Sequence, residues 1–399
     1  MFYRELSQGT DYGACQRGLV MERQCFDQEH EIFRDSFRNF VEKEVQPHGA
    51  VWRKKGIVAR DIWRKAGEQG YLLCWAGEEY GGAGLDDFRF EQIMLEELMR
   101  IGESGFFMNL HSALVAPYID KFGSPEQKQR YLPGCVSGET ILAIAMTEPG
   151  AGSDLAGMRA TAVDKGDHFL LNGSKSFISN GLSADLVIVA ARTVPDQPHG
   201  IGLFLVESGM NGFSRGGKLE KMGLASQDTA ELFFDDVKVP TSNVLGDPTH
   251  GFKYLMTGLA EERLITAVGA LAIAQTAFDV TLDYVMQRSA FGKKIIHFQN
   301  TRFKLAEMRT QLDVAQTFID RCVADLNAKK LSAESAAEAK LFTSELACEV
   351  ADECVQLHGG NGYMNEYLIS RIYSDSRVFR IYAGTSEIMK EIISRSLTP

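Results

Sequence analysis

Apolar and polar positions follow three successive rhythms along the 399 residues. From Phe26 to about Gly138 the period is helical. Phe33, Phe37, Val41 and Val45 recur every four residues and line one helical face, which Pro47 is expected to end. Further helices are predicted over Asp61–Gln69, Asp87–Ile101 and Ser124–Leu132. Ser124 is placed to cap the last, with Glu126 and Gln127 in its first turn, and EEYGGAGLD (Glu78–Asp86) is a turn-rich connection. From about Ile141 to Gly246 the period shortens to two. HFLLNGSKSFISNG, ADLVIVAAR, GIGLFLVE and AELFFDDVKVP read as strands, punctuated by Gly, Asn, Asp and Pro. No long helix separates them, which favours a small antiparallel barrel or sandwich over a doubly wound sheet. From about Gly251 the helical period returns over Tyr254–Arg288, Gln299–Ala328 and Ala333–His358, enough for a bundle, and a short helix over Glu387–Ser396 closes the chain. The resulting division is a lead over 1–24, helices over 25–140, strands over 141–248 and helices over 249–399.

Composition adds exclusions. With 45% apolar and 24% charged residues the chain reads as an ordinary folded protein of two or three domains. The net charge of −11 gives no basic face for nucleic acid. No uninterrupted apolar run approaches the ~20 residues that span a bilayer. The first residues lack the apolar centre of a signal peptide, and Met21 precedes the first periodic segment, so the lead reads as disordered or as an upstream start. Seven scattered cysteines without CxxC or zinc spacing point to thiols in a reducing cytoplasm and to no metal site. Cys348 and Cys354 read as helix packing.

The chain has no GxGxxG, Walker loop, HExxH or GxSxG, which removes the usual supports for a Rossmann-bound nicotinamide, a P-loop nucleotide and the common hydrolases. What remains are glycine-bearing polar segments: MTEPGAGSDL, KSFISNG, QRSAFGK, QLHGGNGY and YAGTSEI. In the first, Thr147 and Ser153 offer hydroxyls, while Gly150 and Gly152 allow close backbone approach to a flat or phosphorylated ligand; a plain turn into a strand fits equally well. Phe177 and Ser179, two residues apart in a strand, share a face, so a ring and a hydrogen-bond donor would meet one planar heterocycle; a core Phe beside a turn is the alternative. Arg288 ends a long helix as a pyrophosphate clamp or as a solvated terminus. His358 is too isolated for a metal ligand and reads as a cap or backbone contact.

Taken together and in this order, the five segments resemble the acyl-CoA dehydrogenase family, most of all its long-chain and isovaleryl branch, from about residue 26 to the C-terminus. The resemblance implies a mainly α fold with a middle β-barrel: an N-terminal α-helical domain, the barrel and a C-terminal four-helix bundle, assembled as a homotetramer. It implies a non-covalent FAD between barrel and bundle, its ADP end reaching a neighbouring subunit. Ile144, Met146, Thr147, Gly152 and Ser153 would line the flavin. Thr147 would reach the isoalloxazine edge, and Ser153 would lie where flavin phosphate and CoA approach each other. Phe177 would pack on the ring, beside Ile178, and Ser179 would hydrogen-bond near N5. Many members carry Trp-Ile-Thr where this chain has Phe177-Ile178-Ser179, a change that keeps both functions. Arg288, Phe291 and Gln299 would hold a neighbour's dinucleotide, with Gln356, Leu357, His358, Gly359 and Gly360 on its adenosine side. Thr385 and Glu387 would contact the phosphate and adenine portions.

The implied reaction is α,β-dehydrogenation of an acyl-CoA to its trans-2-enoyl form, with electrons passed to an electron-transferring flavoprotein. An α C–H is barely acidic, so the reaction needs a carboxylate base in a dry site and a polarised thioester carbonyl. Burial strengthens such a base. Much of the family carries its base in a YEGT version of the final motif, but here that position is Ala383. The long-chain and isovaleryl branch instead places a glutamate just before an arginine on the first long bundle helix. GLAEERLITA supplies Glu262 before Arg263. Glu262 is therefore assigned as base, and the backbone N–H of Ala383, next to Gly384, as carbonyl polariser. Neighbouring helix residues point ~100° apart, so Glu261 and Glu262 are not expected to face the flavin together. Read alone, the triplet Glu261-Glu262-Arg263 is a charged first turn. Ser153, Pro198, His199 and Arg263 are the remaining expected substrate contacts. Medium, long or methyl-branched acyl groups are expected. The rivals are an oxygen-using acyl-CoA oxidase or flavin monooxygenase on the same fold, although such oxidases are usually much longer, and a flavin-free scaffold.

Overall fold

The computed structural model describes residues 23–397; residues 1–22 of the lead, with Met21 and Cys15, lie outside them, whereas Arg23 at its end is ordered, paired with Glu96 at 2.9 Å and Asp320 at 2.7 Å. The first helices form as their apolar spacing requires: α1 (Gln28–Phe40), α2 (Gly49–Lys55), α3 (Arg60–Glu68), α4 (Phe88–Arg100), α5 (Ala116–Phe122) and α6 (Pro125–Ser137). Phe33 and Phe37 meet Tyr71 edge-on, with ring centroids 5.7 and 4.8 Å apart, and Val41 and Val45 are fully buried. Pro47 does not end this helix. A widened π turn, Val41–Val45, and a 3-10 turn, Gln46–His48, lead directly into α2. The same device, a π turn over Leu110–Val115, stands just ahead of Pro117 in α5. Loosening the turn accommodates a residue whose ring crowds the carbonyl four positions back and which has no N–H to give. Ser124 caps α6 as expected, in a reciprocal box with Gln127.

The strands β1 (Leu142–Ala145), β2 (Thr161–Asp164), β3 (His168–Ser179), β4 (Leu186–Arg192), β5 (Ile201–Glu207), β6 (Phe213–Lys218) and β7 (Thr229–Pro240) form one sheet in the order β1-β4-β2-β3-β7-β6, with β5 on β4. The expected β-barrel is a half-barrel: the sheet curls around Phe169, Leu171, Val187, Val189, Phe204 and Phe234 but stays open between β6 and β5. It is also mixed rather than antiparallel, because β1 and β2 both run parallel to β4.

After the sheet come α7 (Gly251–Gln287), a small hairpin β8–β9 (Ser289–Ala290 with Lys293–Lys294), α8 (Gln299–Asn327), α9 (Ala333–His358), α10 (Leu368–Ser376) and α11 (Ser386–Leu397). Helix α7 is apolar nearly all round because it is the bundle's core, packed on α9, α8 and α4. An 18-residue window of it reaches a mean hydropathy of 1.5, the length and apolarity of a membrane span, yet 83% of that window is buried inside the protein. The six described cysteines are free thiols. Cys354 is fully buried, as helix packing requires.

Candidate active site

Glu262 sits about three turns into α7 and is only 5% exposed. Tyr118 from α5 donates a hydrogen bond of 3.0 Å to its Oε1. The approach is possible because residue 258, one turn earlier, is glycine: a Cβ there would lie 2.8 Å from the Tyr118 hydroxyl. Between the two helices lies a narrow cavity of about 20 Å³, walled mainly by Ala113, Leu114, Pro117, Phe122, Tyr254 and Gly258, with Tyr118, Lys121, Thr257, Glu261 and Glu262 as its polar members. Burial pushes the Glu262 carboxyl from its ordinary 4.5 up to about 7, against the pull of Tyr118's hydrogen bond and Arg263's positive charge. The phenol of Tyr118 is driven well above its ordinary range by the same burial and by the Glu262 charge. Glu261 lines the same cavity from a half-buried position and pairs with Lys121 at 3.3 Å. The ~100° between neighbouring residues does separate their environments, buried against partly solvated.

Arg263 is buried beside the carboxylate, with Nε lacking a hydrogen-bond partner. Across the bundle, Lys340 on α9 lies within electrostatic reach of Arg263 and donates a 2.6 Å hydrogen bond to Gly384 O. The Tyr382–Thr385 loop is thereby tied to the helices that carry the carboxylate. Ala383 and Gly384 both have left-handed backbones, φ 52° and 93°.

A second group forms on the sheet. Ser176 N donates to Thr147 O at 2.9 Å, which joins the Met146–Ser153 loop to the end of β3. Beneath it, Lys175, fully buried, bonds Met146 O at 2.9 Å and Glu148 Oε1 at 2.8 Å. Glu148 in turn accepts from the backbone N–H groups of Arg159 and Ala160. The strand is not regular at Phe177. Its register with β7 slips between Lys175 and Ile178, and Phe177 has φ +60° with a side chain 69% exposed. The simple alternation expected for Phe177 and Ser179 is therefore replaced by a bulge that turns the ring outward. Ile178 is buried and Ser179 half-buried. Ile144 is buried in β1, Met146 is half-buried, and Gly152 and Ser153 are exposed; a Cβ at Gly150 or Gly152 would meet nothing within 4 Å.

A third group lies at the other end of α7. Arg288 follows Glu262 by 26 residues, about 39 Å along a helix. Arg288, Gln299, Gln356, Gly359 and Gly360 are exposed there, and Phe291 at the hairpin turn is 96% exposed. His358 is buried, stacks on Tyr284 with centroids 4.2 Å apart, and approaches Cys354 O at 2.8 Å, the backbone contact expected of it; Leu357 is half-buried. Thr385 caps α11 through Ile388 N, and the exposed Glu387 carboxyl is held low by its own backbone N–H and by Thr385. Pro198 is exposed, and His199 stacks on Phe252 at 4.2 Å beside the start of α7.

Sequence reasoning missed Tyr118, Gly258, Lys175, Glu148 and Lys340. The helix carrying Tyr118 was unread because its π turn blurs the period. The two lysines carried one signal, each flanked directly by apolar or small residues (SKSFI, AKLF).

Residues 27–139, 143–237 and 249–398 match the families described as acyl-CoA dehydrogenase N-terminal, middle and C-terminal domains. The long-chain specific acyl-CoA dehydrogenase, mitochondrial, of Sus scrofa is 49% identical over 378 residues, 94% of this chain and 88% of the relative. Among solved structures, an acyl-CoA dehydrogenase from Geobacillus kaustophilus superposes with a TM-score of 0.93 at 49% identity, covering 95% of this chain and 100% of that one. A glutaryl-CoA dehydrogenase from Mycobacterium smegmatis in complex with FADH2 superposes at 0.88 with 30% identity, covering 94% and 95%. All three carry the name of a dehydrogenase; none is named an oxidase or monooxygenase. With three consecutive domains matched and a buried glutamate lining a narrow cavity, the chain belongs to the acyl-CoA dehydrogenase family and is an oxidoreductase of that family.

Proposed function

We propose that the protein oxidises an acyl-CoA thioester to its trans-2-enoyl-CoA with FAD, and that Glu262 removes the α proton. One observation carries this reading: a single buried carboxyl, pushed up to about 7, lines a narrow, mainly apolar cavity. A base of that strength is ionised over a useful fraction of molecules at neutral pH and still binds a proton firmly. The final loop offers Ala383 where a second carboxylate would stand, so Glu262 has no competitor there. The Ala383 N–H polarises the thioester carbonyl, with Gly384 beside it, which acidifies the α C–H.

The residues on the sheet fit a flavin. An outward aromatic ring on a bulge, two hydroxyls and glycines that leave open space suit a flat ring with a polar edge. Ile144, Met146, Thr147, Gly152, Ser153, Phe177, Ile178 and Ser179 would hold it, non-covalently. Held there, FAD would supply the acceptor for the hydride lost from the β carbon. Arg288, Phe291, Gln299 and Gln356–Gly360 gather beyond the end of α7 remote from Glu262, too far to serve that same ring, so they would hold the adenosine end of a neighbour's dinucleotide in a homotetramer. The nearly naked Phe291 supports that reading. Thr385 and Glu387 would meet the phosphate and adenine portions.

Among the medium, long or methyl-branched acyl groups proposed as substrates, likeness to a relative named long-chain specific supports a long one. Ser153, Pro198, His199 and Arg263 would contact the CoA side. Electrons would pass to an electron-transferring flavoprotein in a reducing cytoplasm, consistent with six free thiols. The test is anaerobic: FAD-loaded protein is mixed with saturated straight and branched acyl-CoAs, and mass spectrometry looks for a product two hydrogens lighter, one per flavin. Failure of every acyl-CoA, or inability to bind FAD, defeats the reading.

A further inference from the structure

The loop that would polarise the thioester is strained and fastened. Ala383 carries a side chain yet has φ 52°, a conformation that is strained outside glycine and persists only where its surroundings impose it. Those surroundings are two side chains of α9. On one side, Lys340 Nζ donates to Gly384 O at 2.6 Å. On the other, Glu345 Oε1 accepts from Ser386 Oγ at 2.6 Å, and its Oε2 pairs with Arg380 at 2.8 Å. The left-handed pair is thus held between tethers at residues 380, 384 and 386.

Lys340 is 0% exposed, and the hydrogen bond it forms is to a neutral carbonyl. Among the described residues it has no carboxylate within salt-bridge distance. Burying an ammonium against a carbonyl is an expensive way to fill space, and a methionine would do so at lower cost. Such a group stabilises poorly but locates well: it fixes one oxygen in one place, two residues from Tyr382 and next to the Ala383 peptide.

We propose that Lys340, with Glu345, is a positioning residue for the reaction: it holds the Ala383 N–H in the direction that polarises the substrate's thioester carbonyl. The assignment rests on the reading of the reaction given above. It predicts an effect on the carbonyl rather than on affinity, because neither side chain needs to touch the substrate.

The test uses FAD-loaded full-length enzyme and a chromophoric 3-arylacryloyl-CoA, whose absorption moves to the red when its carbonyl is polarised. Wild type should show a red shift on binding. Lys340→Met should bind the probe with a similar Kd and wild-type flavin content, but lose at least half of the shift. Its kcat should fall 10- to 100-fold, the range expected when a reacting group is misplaced, with little change in KM. Lys340→Arg should restore part of both. Ser386→Ala, a smaller change on the opposite tether, should weaken the shift in the same direction and serves if Lys340→Met does not fold. A variant pair that loses only melting temperature, with the full red shift and kcat retained, overturns the assignment alone. A wild-type enzyme that leaves the probe unshifted overturns both the assignment and the reading of the reaction beneath it.

Discussion

The Tyr118 hydroxyl lies 3.0 Å from Glu262 Oε1, and both side chains are buried. A phenol in that place steadies the carboxylate and sets how readily it takes a proton. Burial raises the Glu262 pKa while the Tyr118 hydrogen bond and Arg263 lower it, and burial wins, leaving about 7.

The first prediction concerns pH. For the free enzyme kcat/KM should rise with pH, reach half its maximum near 7 and level off above that, as Glu262 loses its proton. Tyr118→Phe removes a donor to the charged form, so the midpoint should move upward by about one unit, equivalent to a charge-assisted hydrogen bond of ~1.5 kcal/mol. A pH–rate profile of both proteins decides it; an unmoved midpoint removes Tyr118 from the account.

Gly258 makes the contact possible. A Cβ at that position would sit 2.8 Å from the phenol oxygen, so Gly258→Ala should displace Tyr118 and shift the midpoint in the same direction as Tyr118→Phe. Combined, the two changes should do little more than either alone, since both remove one interaction. Additive shifts would show that the glycine acts elsewhere.

Stability should run opposite to activity. The Glu262 carboxyl titrates near 7 in the folded protein and near 4.5 when exposed on unfolding, so the folded state holds the extra proton between those values. Its stability contribution is full below about pH 4.5 and is lost as pH rises through 7. Glu262→Gln should therefore gain roughly 3 kcal/mol relative to wild type at pH 8, from 1.36 kcal/mol per pKa unit, and almost nothing at pH 4. Denaturant unfolding at the two pH values measures it.

The buried pair Lys175–Glu148 fixes the Met146–Ser153 loop from below. Lys175→Met leaves an uncompensated buried carboxylate and should cost about 3–5 kcal/mol. Adding Glu148→Gln should recover part of that loss. Flavin content of the single variant should fall with the loop's order; a single variant with unchanged unfolding midpoint would argue against a load on this pair.

Much of this was legible beforehand where one periodicity ran undisturbed. Residues 333–358 read as a helix and form one over the same span, and the α7 and α8 boundaries fall within a few residues of their apolar patterns. Legibility failed where backbone geometry departs from a single period. The π turns before Pro47 and Pro117 hid a continuing helix and the element carrying Tyr118. The bulge at Phe177 broke an alternation that looked regular in sequence. Strands β1, β2 and β6 are short or polar and depend on partners far along the chain, so nothing local announced them. Glu262 was reachable only through the likeness of the residues around it, because a glutamate followed by arginine is ordinarily a solvated helix face. Its burial comes from α4 and the Leu110–Val115 turn packing on α7, with Tyr118 of α5 laid over the carboxylate, which no local pattern encodes.

The most direct test of the central claim compares wild type with Glu262→Gln, both loaded with one FAD per chain. Each is mixed anaerobically, in a rapid-mixing spectrophotometer, with an acyl-CoA that wild type oxidises. Wild type should lose its flavin absorbance within the dead time to seconds, while Glu262→Gln should bind the thioester and keep its colour, slowed by several orders of magnitude. Flavin bleaching in Glu262→Gln at a rate near that of wild type would contradict the assignment of Glu262 as the base.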